Sequence, residues 1–400
     1  MRSPAAPTTA SRLLGIDAAR GAAMLFVCLS HFSIEYFRPF RDRPEAHWLL
    51  MVSLIASPTF MLVSGMMAGL LAETRGERFA AVRRDLASRG LFLLTVGHAL
   101  IMVSFLPSYT LVDALWRGFI TDAIGLAIIV GPWLVARTSA TARAALALVL
   151  YALTLWLVVQ WRPVVESPEW IARFALVGPD PGAPRFNFPI LPWLALYLAG
   201  TTLGGWLGAQ QRSGALAAAE RRFVLVGLAA FTVAISLKAG FWLARNAGLL
   251  GGQADLVYAA TSPFQKLPPS PAYFLGFGGL GLILTALLLQ ADRRRLAPRA
   301  LEWLSVFGRA SLFVFLLQFF VYNVLFYYLS LPYSPLWPLA YAASVLAVHA
   351  AARWWLRRDL NFVFDMRTWF GRERREAARA SARARAAHTD ATIAPASPVR

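Results

Sequence analysis

The chain has little of what soluble, secreted or metal-bound domains use. Cys28 is its only cysteine, so no disulfide framework forms within one chain and no cysteine-based zinc site exists. Lysine is nearly missing: only Lys238 and Lys266 stand among the 39 lysines and arginines. Charged residues of both signs make up just 15% of the 400 positions, while 58% are hydrophobic. Mean hydropathy is +0.54. A soluble domain cannot hide that much apolar surface, so the class is an all-α polytopic membrane protein. The net charge of +18 does not point to nucleic acid. Its arginines lie in short loops between apolar runs and in the C-terminal tail, as membrane topology demands.

A bilayer core of about 30 Å needs roughly 20 apolar residues per helix. Ten such runs occur, near 15–37, 49–72, 90–107, 117–136, 143–161, 188–208, 222–244, 269–290, 304–329 and 335–355. No small-x-small cleavage site follows the first run, which is therefore read as a retained transmembrane helix. Arg75, Arg78, Arg83, Arg84 and Arg89 fill the connection 73–89, and Arg293, Arg294, Arg295 and Arg299 fill 291–303. With ten passes these connections share one side, and both termini are expected in the cytoplasm. The expected organisation is a cytoplasmic segment 1–12, a transmembrane domain 13–356 and a basic, partly disordered tail 357–400. The stretch SPEWIARFAL, 167–176, has a serine cap and a first-turn proline and is expected to form a short interfacial helix. Gly65 and Gly69, and Gly200, Gly204 and Gly208, recur at four-residue spacing. Such patterns serve close helix packing within one subunit or a homo-oligomer face.

The first run, LLGIDAARGAAMLFVCLSHFSIEYF, carries Asp17, Arg20, His31 and Glu35. At 100° per residue, the eleven-residue step from Arg20 to His31 returns to the same face after about 16 Å of rise. Asp17 lies one turn before Arg20 and Glu35 one turn beyond His31. The helix thus bears one polar stripe, which a wet cavity inside the bundle would accommodate. Ionisable groups at that depth are costly, so a functional role is the first hypothesis.

Arginine, ten residues and histidine on a first helix is the pattern of the transmembrane acyltransferases known as acyltransferase family three. Here it reads RGAAMLFVCLSH. Within that superfamily, IDAARG at 16–21 resembles the "SIDALRG" opening of the heparan-α-glucosaminide N-acetyltransferase-like membrane proteins. FMLVSGMMAGLL at 60–71, RRDLASRGLFLLTVG at 83–97 and FPILPWLALYLAGTTLGGWLG at 188–208 resemble further segments of that group, in order. So do KLPPSPAYFLGFGGLGLIL at 266–284 and FGRASLFVFLLQ at 307–318. Leu267, Pro271 and Gln318 depart from the pattern, Gln318 standing where a histidine is usual.

The resemblance implies acyl transfer from acetyl-CoA or another acyl-CoA to a hydroxyl or amino group of a glycan or lipid-linked acceptor, with no metal. The donor is cytosolic and anionic, and Arg20 with the nearby loop arginines suits it. His31 is the natural base, or the carrier of an acyl-imidazole. Glu35 could orient it. His47, in EAHWLL, is the rival, because a histidine of this outer loop is the suspected active residue of the N-acetyltransferase-like group. Asp17, Asp122, Lys238, Arg309 and Gln318 are further polar residues available to hold donor or acceptor. Besides the bilayer and these substrates, a second copy of the chain is the partner considered. Loop economy and arginine usage point to a bacterial inner membrane. Two other classes stay open. A transporter could use Asp122, Lys238 and His31 as a path, although no internal repeat is found. A catalytically degenerate member is suggested by Gln318.

Overall fold

The computed structural model describes residues 12–111, 117–164, 167–178 and 187–369, and its regular elements among these are helices. Eight of the described stretches are long and apolar enough to cross a membrane. One of them, Pro44–Phe105, contains two passes. It begins with the short α2 (Pro44–Ser53), followed by α3 (Ala56–Arg75) and α4 (Phe79–Phe92). The chain reverses between α3 and α4 at Gly76, whose φ of +51° a side chain would strain. Ser64, Met67 and Leu71 of α3 and Leu86, Arg89 and Leu93 of the returning pass line one cavity. The tenth expected run corresponds to a helix of 21 residues, Trp337–Arg357, made more polar by His349, Arg353 and Arg357. The chain is an all-α polytopic membrane protein.

The pass expected at 90–107 starts eleven residues earlier, at Phe79. Arg83, Arg84 and Arg89 therefore stand on a helix rather than in a loop. This pass continues through a π-helical turn, Leu93–Gly97, into α5 (His98–Phe105). After it come α6 (Ile120–Arg137), α7 (Ala140–Gln160), α8 (Pro168–Leu176), α9 (Ile190–Arg212), α10 (Leu216–Asn246) and α11 (Ala254–Thr261). The run expected at 304–329 is broken. α12 (Pro271–Arg293) leads to α13 (Pro298–Arg309), which ends at Ala310, and α14 (Ser311–Phe319) passes into a second π-helical segment, Phe320–Phe326. A three-residue α15 (Tyr327–Leu329) and α16 (Trp337–Arg357) follow. The interfacial helix expected at 167–176 is α8, with Ser167 Oγ accepting from the Trp170 amide at 3.1 Å.

Small residues set which helices touch. α3 and α9 lie side by side in parallel, Gly65 against Tyr197 and Gly200, and Gly69 against Thr201 and Gly205. The two glycine patterns thus pack against each other inside one subunit. Gly21 of α1 (Leu14–Tyr36) lies on the Leu304 carbonyl, and Gly308 on that of Asp17, which brings α13 across the start of α1. Gly90 of α4 meets the Gly125 carbonyl of α6.

Both described ends lie at the arginine-rich end of the bundle. The Gly15 amide donates to Asp292 at the close of α12 (2.8 Å). Residues 360–369 fold back on α4: Ser88 Oγ donates to Asp365 Oδ1 (2.6 Å) and Arg367 Nη2 to Asp85 Oδ1 (2.7 Å). Residues 1–11 and the tail from 370 lie outside the described residues. Burial pushes the Asp365 carboxyl up, but hydrogen bonds from Arg367 and Ser88 outweigh it and hold the group at about 2, below its ordinary 3.8. The contribution of this clasp is full above the ordinary value and lost as pH falls through about 2. Pepsin cleavage of wild-type 360–369 is expected to rise only near the lower limit, whereas Asp365→Asn is cleaved already at about pH 4. Equal cleavage of both proteins at that pH would remove the clasp.

Candidate active site

Arg20 is one of three arginines around a cavity of about 170 Å³ near the arginine-rich end. Arg20 comes from α1, Arg89 from α4 and Arg309 from the end of α13, while Ser64, Thr121 and Tyr197 add polar groups from α3, α6 and α9. Asn361 and Phe364 of the folded-back segment help line it. The Arg20 guanidinium sits over the Phe60 ring, 5.3 Å from its centroid. Arg309 Nη2 donates to Glu302 Oε1 at 2.5 Å. Four polar atoms here are buried without a hydrogen-bond partner: Arg20 Nε, Arg309 Nε, Ser64 Oγ and Thr121 Oγ1. Each such orphan costs about 1–3 kcal/mol, a penalty that a ligand or water would relieve.

Further along α1, His31 meets Phe319 edge-on, with ring centroids 4.5 Å apart. Asn323 of the π-helical segment adjoins the imidazole, and Lys266 is close enough to act on it electrostatically. Asn323 Nδ2 and Gln318 Oε1 are also buried without partners, and Gln318 Nε2 donates to the Phe315 carbonyl at 3.1 Å. A π-helical turn widens a helix and turns side chains out of α register, and such turns favour functional sites. One here holds Asn323, and the other ends at His98.

An aromatic wall runs from the arginine cavity to His31. Phe60 and Phe315 line the cavity. Phe315 packs on Phe319 at 5.3 Å, and Phe319 on His31. The wall continues through Phe105 and Phe119 to His98, with steps of 5.8, 5.3 and 5.2 Å. There His98 Nδ1 lies 2.9 Å from Asp122 Oδ1. Asp122 also accepts the Phe119 amide at 2.8 Å and so caps α6.

The other residues singled out in the sequence separate. Asp17 is buried beside Arg20 on the stripe, but its carboxylate takes Arg12 Nε at 2.5 Å. Glu35 pairs with Arg38, which donates to Ser108 Oγ at 3.0 Å, and no hydrogen bond joins Glu35 to His31. His47 lies exposed on α2 beside Trp48. The neighbouring Ala46 carbonyl accepts from Ser33 on α1, so residue 47, about 100° further round, faces away. Lys238 is on α10, 4.4 Å above the Tyr258 ring centroid, apart from both the cavity and His31.

Sequence reasoning missed Ser64, Thr121, Tyr197 and Lys266 as site residues, and placed Arg89 in a loop. A signal for Arg89 existed: Leu86, Arg89 and Leu93 fall at i, i+3 and i+7 on one helical face, and all three line the cavity. Ser64, Thr121 and Tyr197 carry none, because uncharged hydroxyls within apolar stretches are as readily packing residues as site residues.

The acyltransferase domain model of acyltransferase family three matches residues 13–353. The chain belongs to this family. The match runs from the residue before α1 into α16, so it takes in Arg20, Arg89 and Arg309 of the cavity, His31 and the His98–Asp122 pair. Membership makes the protein a membrane acyltransferase in general terms. No match was found among curated proteins or solved structures.

Proposed function

We propose that this acyltransferase moves an acyl group, in the first instance acetyl, from acyl-CoA to a hydroxyl or amino group of a glycan or lipid-linked acceptor. The single observation carrying this reading is the layout of α1. Arg20 stands in a cavity with two further guanidiniums, and His31 stands three turns further into the bundle beside Asn323, whose Nδ2 is buried without a partner. The positive-inside rule puts the arginine-rich end in the cytoplasm, where acyl-CoA is made. Three cations in a small, largely dehydrated space favour an anionic donor. The cavity is too small for a whole nucleotide, so it suits part of the donor arm. The rise of about 16 Å from Arg20 to His31 is of the order of a pantetheine arm.

His31 takes the proton of the acceptor as its oxygen or nitrogen attacks the thioester carbon. The carbon–sulfur bond breaks, and the CoA thiolate leaves with that proton. In the covalent alternative the imidazole attacks first, and the acceptor then discharges the acyl-imidazole. Asn323, through its free Nδ2, is the donor available to the developing oxyanion, and Gln318, through its free Oε1, is an acceptor available to the substrate's hydroxyl or amino group. The kinship with heparan-α-glucosaminide N-acetyltransferase-like proteins belongs to this reading, as does a bacterial inner membrane.

The test is thiol release from acetyl-CoA by purified protein with a panel of sugar acceptors. Arg20→Ala and Arg309→Ala are each expected to raise KM for acyl-CoA by about tenfold or more, with a smaller change in kcat, through loss of charge-assisted hydrogen bonds. An unchanged KM in both would sink the donor assignment.

A further inference from the structure

A second and larger cleft, of about 870 Å³, opens at the arginine-rich end between α3, α4, α6, α7 and α9. Its walls carry small residues, among them Gly69, Ala72, Ala136, Gly205 and Ala209, which leave room for a bulky group. Two arginines face it, each held in place by the fold. Arg143 is only 6% exposed although α7 is largely uncovered by protein. Its Nε donates to Thr201 Oγ1 at 3.1 Å and its Nη1 to the Thr138 carbonyl at 2.7 Å. Its Nη2 reaches the Gly205 wall, 3.7 Å from where a Cβ would stand. Arg83 lies over the Trp133 ring, 4.5 Å from its centroid, and its Nε is buried without a partner. Arg137 sits at 4.9 Å from the same ring, which adds a third cation beside the cleft.

Carboxylates do not balance these charges. Glu73 and Glu77 also line the cleft. Glu73 is bound by Arg212, which donates to both its side chain and its carbonyl (2.6 Å for the latter). Only Glu77 remains against three guanidiniums. Fixed arginines with spare donors, in a cleft with an excess of positive charge, match the tetrahedral array of acceptors on a phosphate.

We propose that this cleft is a phosphate-binding site, separate from the arginine cavity, whose ligand carries the phosphate on a body that fills the small-residue wall. The phosphate has two sources at this depth. It is the headgroup of an anionic phospholipid entering along Thr202 and Trp206 of α9, or the phosphate of a cytosolic nucleotide. The site does not depend on the acyl-transfer reading.

Binding to the delipidated, detergent-purified full chain tests this directly. The probes are short-chain phosphatidylglycerol and adenosine 3′,5′-bisphosphate, with diacylglycerol and adenosine as phosphate-free controls. At least one phosphate probe is expected to bind saturably, about tenfold more weakly to Arg83→Gln, while its control does not bind. Arg83 makes no hydrogen bond in the fold that this change would remove. Ala209→Phe, which fills the cleft and keeps its charge, is expected to weaken the same probe. Lipid binding alone assigns a headgroup site, and nucleotide binding alone assigns a nucleotide site. Equal binding by wild type and both variants, or no phosphate-dependent binding of either probe, would overturn the proposal. Arg20→Ala leaves binding here intact, so this outcome is independent of the donor test above.

Discussion

Replacing His31 with Ala is expected to lower acyl-CoA-dependent thiol release by about 10²–10⁴-fold, the range for loss of a positioned general base. His47→Ala is expected to leave the rate unchanged. Both histidines suit the chemistry by residue type, and they differ by surroundings. His47 projects from α2 next to Trp48, which is 65% exposed, and nothing fixes its ring. His31 is held by Phe319 and adjoins Asn323. The loss should fall on kcat, because the imidazole acts as the thioester is attacked and not while the donor binds. Thermal stability of the variant must match wild type, since Phe319 loses a ring contact. Full activity in His31→Ala with loss in His47→Ala would move the chemistry to the outer face and end the present assignment.

Gly204→Val is expected to abolish recovery of folded protein. A Cβ at position 204 would stand 1.9 Å from the Met66 carbonyl oxygen and 2.6 Å from its Cα. Both atoms belong to the backbone of α3, so no side chain can swing aside. Overpacking a yielding site costs about 1–3 kcal/mol, and this site exceeds that because two helices must separate. Gly240 is the control, since a Cβ there meets nothing within 4 Å. Gly240→Ala should purify and melt like wild type. Size-exclusion profiles of the two variants distinguish the packing role from an oligomer face. If Gly204→Val yields a stable monomer where wild type is a dimer, the glycines serve association and the α3–α9 seam described above is not their purpose.

The membrane class and most passes were legible because a bilayer imposes length and apolarity on every spanning helix. Where the count went astray locally, the reason is visible in particular residues. Arg83, Arg84 and Arg89 hid the first turns of α4, since a hydropathy reading takes a cluster of cations for a loop. Ala310, with φ −97° and ψ 19°, breaks a run whose composition is continuous. Nothing in an apolar sequence marks such a bend.

The polar stripe on α1 was also legible, because Arg20 and His31 share a face by helical arithmetic alone. Its division of labour was not. Glu35 stands one turn from His31, yet it pairs with Arg38 three residues on, just past the end of the helix. Asp122 was open to any arginine or histidine in the bundle. The approach of α5 to α6 pairs it with His98.

By itself, the sequence determined a helical membrane protein with arginine-rich connections on one side and a first helix bearing both a cation and an imidazole on one face. Tertiary structure alone decided that the two glycine patterns face each other across α3 and α9, and that Arg20, Arg89 and Arg309 meet around one cavity. The physical reason is that periodicity describes one helix at a time. Which helices touch depends on where backbones can approach within van der Waals distance, and that is a property of pairs of surfaces.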